Sequence, residues 1–271
     1  MAVVLVTGGS SGIGLATVRR LRAAGHQVFS GSRDPSRTRL PDGVTPLAVD
    51  VADPTAAAAV VRSVVAAAGR LDVLVNNAGT VSLAPLEEAG DVEAHRIFEV
   101  NLFGPMRLAS AALHVMRAQG GGRIINVTSE NDTFPAPFGG WYSASKAALA
   151  SASTVLGAEV YGFGIFVTVV APGLFRTAMA QGLDSFPIAG DSSYAPMLAT
   201  VRDQNALGLT EAGDPDEVAQ AIQDCMLASD PPARIVVGAD ALEMDKTVRE
   251  SSAEDLARLL RDFVAGLTPQ L

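Results

Sequence analysis

The sequence predicts an α/β protein built on one doubly wound parallel sheet with helices on both faces. Short apolar runs alternate along the 271 residues with alanine-rich stretches of helical length, which is the pattern of repeated strand–helix–strand units. Most of these apolar runs are continuous, as expected of parallel strands that are buried on both faces. A glycine-rich turn separates the first run from the first helical stretch, a position that suits phosphate binding.

Seven strands and five helices follow from this alternation. We predict strands at Val3–Val6, Gln27–Ser30, Thr45–Val49, Val73–Asn76, Arg123–Thr128, Phe166–Val170 and Arg234–Val237. We predict helices near Ile13–Ala24, Pro54–Ala68, Asp91–Gln119, Tyr142–Tyr161 and Asp214–Leu227. The length is near the upper limit for one core, and no repeat or low-complexity linker interrupts the chain. We therefore expect residues 1–271 to form a single domain.

Two segments depart from the simple alternation. Residues 178–212 mix Gly, Pro, Asp and Ser with apolar residues and follow the carboxyl end of a strand. Ligands bind at that end of open α/β sheets, so this insertion is a candidate substrate lid; the alternative is an ordinary loop with short helices. Residues 240–271 include an amphipathic stretch, 253–261, which either caps the core, covers the substrate pocket or contacts another subunit.

Composition narrows the class of protein. The formal net charge of −9 argues against nucleic acid or an anionic membrane as a main partner. The single cysteine, Cys225, excludes an internal disulfide and is consistent with a reducing cytosol. No apolar run is long enough to span a bilayer, and the first residues read as a strand rather than a signal peptide, so we expect a cytoplasmic protein. The three histidines show no metal-ligand spacing, and no metal is expected.

A tyrosine and a lysine four residues apart, Tyr142 and Lys146, provide candidate chemistry. On a helix they share one face, and Ser129 lies thirteen residues upstream. A free tyrosine titrates near ~10. A cation about 4 Å away at an effective dielectric of ~20 would lower that pKa, and burial would cancel part of the effect. We therefore expect a phenol that exchanges a proton with a substrate oxygen near neutral pH.

Six motifs stand in a recognisable order. They are the loop Thr7–Gly14 with the spacing Thr-Gly-x-x-x-Gly-x-Gly, the segment Asn76–Gly79, Asn101, Ser129, the Tyr142/Lys146 pair and Pro172-Gly173. In this order and spacing the chain resembles the short-chain dehydrogenase/reductase (SDR) family over nearly its whole length, less so after about residue 180. The resemblance implies a Rossmann-like sheet, a nicotinamide cofactor, and hydride transfer to a carbonyl or from a secondary alcohol.

The resemblance also implies four catalytic residues. Tyr142 is similar to the family's general acid/base, and Lys146 to the residue that lowers its pKa and binds the nicotinamide ribose. Ser129 corresponds to the serine that hydrogen-bonds the substrate oxygen. Asn101 corresponds to the residue that holds a water in a proton relay from Lys146. Its alternative role is to satisfy backbone groups in a mid-helix irregularity, and the two roles are compatible.

Cofactor contacts are implied for a larger set of residues. The segment Asn77–Gly79 would line the adenosine side, Asp50 would read the adenine amine, and Pro172, Gly173 and Thr177 would meet the nicotinamide carboxamide. The full set is Gly8, Ser10, Ser11, Gly12, Ile13, Gly14, Ser32, Arg33, Asp50, Val51, Asn77, Ala78, Gly79, Tyr142, Lys146, Pro172, Gly173 and Thr177.

The end of the second strand favours NADP(H) over NAD(H). NAD-preferring members of the family carry an acidic residue there, whereas this chain has Ser32 followed by Arg33, with Arg37 and Arg39 close behind. A hydroxyl and a guanidinium suit a 2′-phosphate. Two alternatives stay open: Asp34 takes the acidic role if the strand ends later, or the segment is only a solvated basic turn.

The residues after Ser129 depart from the family pattern. Many relatives have a glycine three residues after the serine, whereas this chain continues Glu130-Asn131-Asp132. Either these carboxylates face solvent or a basic side chain, or one of them contacts a hydroxyl or amine of the substrate. The rest of the surroundings is apolar: residues 134–141 with Leu83, Leu86, Leu174, Phe175, Met179, Phe186 and Tyr194. A largely apolar ketone or alcohol is therefore expected.

These observations predict an NADP(H)-dependent oxidoreductase of the ketoreductase or alcohol dehydrogenase type. The alternatives are a non-redox enzyme on the same scaffold, such as an epimerase, dehydratase or cyclase, or a non-catalytic dinucleotide-binding sensor. Small residues on the Tyr142 helix permit the close helix pairing by which family members form homodimers or homotetramers. They are equally consistent with packing on the sheet alone.

Overall fold

The computed structural model describes residues 1–185 and 191–267. In this part of the chain seven parallel strands form one sheet in the order β3-β2-β1-β4-β5-β6-β7. The strands are β1 (Val3–Thr7), β2 (Gln27–Ser32), β3 (Thr45–Ala48), β4 (Val73–Asn76), β5 (Gly122–Val127), β6 (Ile165–Pro172) and β7 (Arg234–Val237). The predicted fold class is confirmed, and every predicted strand agrees with the observed one to within two residues.

Helices cover both faces of the sheet. They are α1 (Gly12–Ala23), α2 (Ala56–Ala68), α3 (Gly90–Phe98), α4 (Gly104–Ala118), α5 (Gly140–Val160), α6 (Ala178–Gln181), α7 (Ala195–Glu211), α8 (Pro215–Leu227), α9 (Ala239–Glu250) and α10 (Ala253–Gly266). Among the described residues no helix has both the length and the apolar character needed to cross a membrane.

The central strands divide the core into two layers. In β1, Val3 and Leu5 pack with residues of α2 and α4, whereas Val4 and Val6 pack on the opposite face with residues of α1 and α8. This alternation follows from the period of two in a β-strand, and all four side chains are buried because both faces are covered. The core holds β1 and β4 side by side, and their carboxyl ends open between the two helical layers.

The predicted helix Asp91–Gln119 is wrong as a continuous element. It is divided into α3 and α4 by a π-helical turn, Glu99–Phe103, in which the Gly104 N–H donates to the Glu99 carbonyl. Pro105 has no N–H to give the Asn101 carbonyl, and its ring would clash with that carbonyl in a regular α-helix. The wider turn relieves this conflict and carries Asn101 in its middle.

Candidate active site

A cavity of about 490 Å³ lies at the carboxyl ends of the central strands. Every residue predicted for the catalytic and cofactor sites lines it, except Gly14 and Asn101. Parallel strands bring their carboxyl ends to one edge, which explains how residues from seven separate segments meet. In the described part of the chain no three His, Cys, Asp or Glu side chains are arranged to hold a metal ion.

The glycine loop between β1 and α1 is shaped by backbone geometry. Gly8 and Gly12 have φ angles of 66° and 50°, in the left-handed region that favours glycine. A Cβ on Gly8 would lie 2.9 Å from the Ala78 Cα, and one on Gly12 would lie 3.0 Å from the Thr177 Cγ2. Gly14 does not line the cavity; it packs against the Gly8 carbonyl, where a side chain would collide. The loop is therefore pressed between the ends of β4 and β6.

Thr7 holds this loop against the end of β4, a role that the sequence reasoning missed. Its Oγ1 accepts hydrogen bonds from the backbone N–H groups of Asn77 and Ala78, each at 3.1 Å. The Asn77 side-chain amide donates to the Thr7 carbonyl at 2.9 Å. Asn77 lines the cavity as predicted, but its amide is committed to the loop. The threonine that begins the motif Thr7–Gly14 was the available signal.

The loop fits the pyrophosphate of a dinucleotide. It ends at the N-terminus of α1, where unpaired N–H groups and the helix dipole favour an anion, and the first turn of that helix contains no acidic residue. Side chains on its glycines would collide with neighbouring segments, so the loop keeps this shape only with glycine at these positions. Ser10, Ser11 and Ile13 face the cavity from the same turn.

The end of β2 places one basic residue at the cavity. Ser32 is the last residue of the strand, and both it and Arg33 line the cavity. The Asp34 carboxylate instead accepts from the Ser36 N–H at 3.1 Å and from the Ser36 hydroxyl at 2.5 Å, and it is not among the lining residues. These hydrogen bonds lower the pKa of Asp34. Asp50 and Val51, which follow β3, line the cavity beside Arg33.

Ser129, Tyr142 and Lys146 meet at the centre of the cavity. Tyr142 and Lys146 lie one turn apart on α5, with the lysine Nζ 5.8 Å from the centre of the tyrosine ring. Lys146 is buried, and its Nζ donates to the Val127 carbonyl at 3.0 Å. Ser129, also buried, starts the turn after β5, and its Oγ accepts from the Asn131 N–H at 3.3 Å. The turn after β5 and the helix α5 therefore bring a hydroxyl, a phenol and an ammonium group together in the cavity.

The expected direction of the Tyr142 pKa shift is wrong. Burial raises the pKa of Tyr142 to about 12, Ser129 lowers it by hydrogen bonding, and the charges of Glu130 and Asp132 raise it further. Burial also lowers the pKa of Lys146 to about 8, against the opposing effect of Asp132. Desolvation therefore outweighs the attraction between phenolate and ammonium, since both charged forms lose hydration.

Asn101 is fully buried and does not line the cavity. Its Oδ1 accepts from the Thr80 N–H at 2.9 Å, and its Nδ2 donates to the Thr80 carbonyl at 2.8 Å and to the Ser145 Oγ at 3.0 Å. The mid-helix irregularity foreseen for this residue is present as the π-helical turn. A Cβ on Gly79 would lie 3.5 Å from both the Asn101 Oδ1 and the Lys146 Nζ, so the two polar atoms flank the same glycine.

The two acidic residues after Ser129 have different surroundings. Asp132 is buried, and its Oδ2 accepts from the Thr128 hydroxyl and pairs with the Arg234 Nη1, each at 2.7 Å. Glu130 is half-buried and lines the cavity. Burial raises the pKa of Glu130 to about 7, and the charge of Asp240 adds to the effect.

The apolar residues that line the cavity agree only in part with those suggested by the sequence. Leu83, Leu174, Phe175 and Met179 line it, as do Ala136 and Pro137 from the predicted segment. Leu86 and Tyr194 do not line it, and Phe186 lies outside the described residues. Residues outside this predicted set also line the cavity, among them Ser82, Arg96, Leu183, Val201 and Asn205.

The described parts of the segment proposed as a lid, residues 178–185 and 191–212, lie along one side of the cavity. Val201 and Asn205 of α7 line it, and the Asn205 Nδ2 donates to the Ala180 carbonyl of α6 at 3.2 Å. Ahead of α7, the Tyr194 hydroxyl donates to the Glu87 carboxylate at 2.6 Å. The Ser192 hydroxyl lies 2.8 Å from a Glu88 carboxylate oxygen. These contacts connect the segment to the loop between β4 and α3.

Comparisons with known proteins agree with this arrangement. Residues 2–187 match the family model described as short chain dehydrogenase. A 3-ketodihydrosphingosine reductase from Bacteroides thetaiotaomicron is 33% identical over 87% of this chain and 87% of its own length. A cis-4-hydroxycyclohexanecarboxylate dehydrogenase from Sinomonas cyclohexanicum is 36% identical over 88% of this chain and 92% of its own. The crystal structure of a short-chain dehydrogenase from Streptomyces avermitilis superposes with a TM-score of 0.82 at 33% identity, covering 95% of both chains.

Proposed function

Since the chain belongs to the short-chain dehydrogenase/reductase family, we propose that it transfers hydride between NADP(H) and a carbonyl or secondary alcohol of a largely apolar small molecule. The observation that carries the proposal is the meeting of Ser129, Tyr142 and Lys146 in the same cavity as the glycine loop. Two relatives support the reaction class by name, since one is a reductase of a keto compound and the other a dehydrogenase of a hydroxy compound.

Ser129 and Tyr142 would act on the substrate oxygen. The bound nicotinamide supplies or accepts the hydride. In the reductive direction Ser129 holds the carbonyl oxygen, and Tyr142 donates its phenolic proton as negative charge develops there. A pKa of about 12 keeps this proton in place at neutral pH. The transfer is still downhill, because an alkoxide is a much stronger base than a phenolate.

Lys146 and Asn101 would support the proton transfer. The Lys146 ammonium stabilises negative charge on the Tyr142 oxygen and holds the ribose hydroxyls of the cofactor. The space beside Gly79, between the Asn101 Oδ1 and the Lys146 Nζ, suits a relay water. Pro172, Gly173 and Thr177, at the end of β6, would contact the carboxamide.

The choice of NADP(H) rests on the end of β2. Arg33 lines the cavity and forms no ion pair with any residue in the described part of the chain. A guanidinium free to bind a 2′-phosphate with paired hydrogen bonds favours NADP(H). Asp34, the residue that could instead have held both ribose hydroxyls, is occupied by Ser36.

We further propose that residues 178–212 cover the substrate. Support comes from the two α7 residues that line the cavity and from the contacts of Ser192 and Tyr194 with the opposite loop. A cover of this kind would exclude water from the hydride transfer.

The variant Tyr142→Phe tests the proposed function. The wild-type protein should consume NADPH with members of a panel of apolar ketones. The variant should lose about 10²–10⁴-fold in kcat, because it has no proton to donate. NADPH binding, measured by fluorescence titration, should weaken far less than kcat falls. The matched control is Tyr161→Phe, at a tyrosine that is 65% exposed and does not line the cavity. Product formation without net change in NADPH would instead indicate one of the non-redox reactions, and full activity of Tyr142→Phe would exclude this mechanism.

A further inference from the structure

The Glu130 carboxylate faces the active-site cavity without a partner from the protein. Glu130 lines the cavity next to Ser129, and its charge acts on Tyr142. Among the described residues none donates a hydrogen bond to this carboxylate or forms an ion pair with it. A carboxylate that is partly removed from water normally has a donor or a cation beside it.

Two basic residues that line the cavity, Lys146 and Arg96, have other partners, as does Arg234 beside Asp132. Arg234 pairs with Asp132, and Lys146 donates to the Val127 carbonyl. Arg96 pairs with Glu93 at 2.7 Å. The Asp240 carboxylate accepts from the Leu174 N–H at 2.6 Å and adds negative charge on the same side.

This charge balance favours a cation over a neutral donor. A bound hydroxyl would give Glu130 one hydrogen bond but would leave the negative potential from Asp240 in place. A bound ammonium group would provide both a hydrogen bond and a compensating charge. The pKa of Glu130 is raised to about 7 because burial and the charge of Asp240 disfavour the charged carboxylate, and a bound cation would stabilise that charged form.

We propose that Glu130 is a specificity-determining residue that binds a protonated amine on the substrate, close to the reacting carbon. The preferred substrates are then amino ketones or amino alcohols with an apolar remainder, which contacts Leu83, Leu174 and Met179. This inference rests on the proposed function, because it assigns the substrate class of the same cavity. Glu130 takes part only in substrate binding, and Tyr142 carries out the proton transfer.

Two matched series of isosteric alcohols test the inference. One series carries an ammonium group one to three carbons from the carbinol carbon, and the other carries methyl in place of the amine. Oxidation with NADP⁺ is measured for the wild-type protein and for Glu130→Gln. We expect the best amino alcohol to exceed its methyl isostere in kcat/KM, and Glu130→Gln to lower that value about 10–100-fold, as for loss of a charge-assisted hydrogen bond.

The methyl isosteres report on folding and on the proposed function. Glu130→Gln should oxidise them faster than the wild-type protein does, since binding them leaves the carboxylate unpaired and its charge raises the pKa of Tyr142. The matched control is Glu243→Gln, at an exposed carboxylate on α9 that does not line the cavity; it should leave both series unchanged.

Two results would overturn the inference. In one, wild-type protein oxidises the methyl compounds at least as well as every amino alcohol. In the other, Glu130→Gln lowers both series equally and raises the KM for NADP⁺, so that the carboxylate serves the cationic nicotinamide ring instead. If neither series is oxidised by the wild-type protein, the proposed function itself fails and the inference falls with it.

Discussion

At the scale of single residues, burial sets the protonation of the groups in the cavity. Burial raises the pKa of Tyr142 to about 12 and lowers that of Lys146 to about 8. At pH 7 the phenol therefore keeps its proton and the lysine still carries its charge. This combination suits reduction of a carbonyl, in which Tyr142 donates and Lys146 stabilises the phenolate that forms.

The spacing of residues in the sequence predicted which groups meet but not how deeply they lie. The i, i+4 relation of Tyr142 and Lys146 was enough to place them on one helix face. The direction of the Tyr142 shift depends on desolvation by elements far away in sequence, and no local pattern encodes that burial. Glu130 and Asp132 were indistinguishable in sequence for the same reason, since Arg234, which pairs with Asp132, and Asp240, which acts on Glu130, are both distant in sequence.

The Lys146 pKa predicts how activity depends on pH. Because the pKa is lowered to about 8, the ammonium is present below that pH and is lost as the pH rises through it. We expect kcat/KM for ketone reduction to be level near pH 7 and to fall above pH 8, approaching a tenfold decrease per pH unit. A pH profile of kcat/KM measures this directly, since it reports groups of the free enzyme.

Two variants identify the titrating group. Lys146→Arg, whose guanidinium stays charged, should show a lower rate without the alkaline decrease. Glu130→Gln should retain the decrease, because Glu130 titrates nearer pH 7. A decrease that persists in Lys146→Arg would assign it to another residue.

Arg33 predicts the cofactor preference. Its guanidinium lines the cavity, so Arg33→Ala should lower kcat/KM for NADPH about 10–100-fold and leave that for NADH within about twofold. Arg37→Ala is the matched control, because Arg37 belongs to the same basic segment but does not line the cavity. A wild-type protein that prefers NADH would contradict the assignment.

At the scale of elements, the local sequence pattern was sufficient to predict a strand or helix where one hydrophobic periodicity dominates. The strands were predicted closely because β1, β4 and β6 are largely apolar runs that are almost entirely buried. The helix α7 was not predicted, because only Leu198 of its residues is buried and its apolar residues form no stripe along one face. The break between α3 and α4 could be predicted only from the effect of Pro105 on the preceding turn. That effect outweighs the helix-favouring composition of the residues around it.

The contact between Tyr194 and Glu87 predicts how the lid segment affects substrate binding. Tyr194→Phe removes a hydrogen bond at 2.6 Å and keeps the ring, whose edge packs against Phe138. The segment should then cover the substrate less of the time, because the hydrogen bond that ties it to the loop between β4 and α3 is lost. We expect KM for the ketone to rise about 3–10-fold while kcat changes less than twofold, as measured by steady-state kinetics.

A second variant tests the same contact from its other side. Glu87→Gln keeps a weaker acceptor and should give a smaller rise in KM, whereas the double variant should give no more than Tyr194→Phe alone. Additive effects in the double variant would show that the two residues act independently and not through their shared hydrogen bond.

At the scale of the whole molecule, large apolar side chains are also exposed on surfaces outside the cavity. Several large apolar side chains are exposed on or next to α4 and α5, including Phe103 at 45%, Val155 at 55% and Phe163 at 52%. The net charge of −9 opposes association of like chains unless apolar contacts compensate. Exposed apolar residues on neighbouring helices are the expected composition of a subunit interface.

The exposed face of α5 predicts self-association. We expect multi-angle light scattering at micromolar concentration to give two or four times the mass of the chain. Val155→Glu should lower that mass, because it places a charge on a surface that would be desolvated in an oligomer. The matched control is Leu207→Glu on α7, where the leucine is 70% exposed and the same charge should leave the mass unchanged. The proposal fails if the wild-type chain is monomeric, or if Leu207→Glu rather than Val155→Glu dissociates it. If Val155→Glu gives monomers that still reduce ketones, the active site is complete within one chain, as expected of a cavity lined by the strand ends, their loops and the helices α5 and α7 of the same chain.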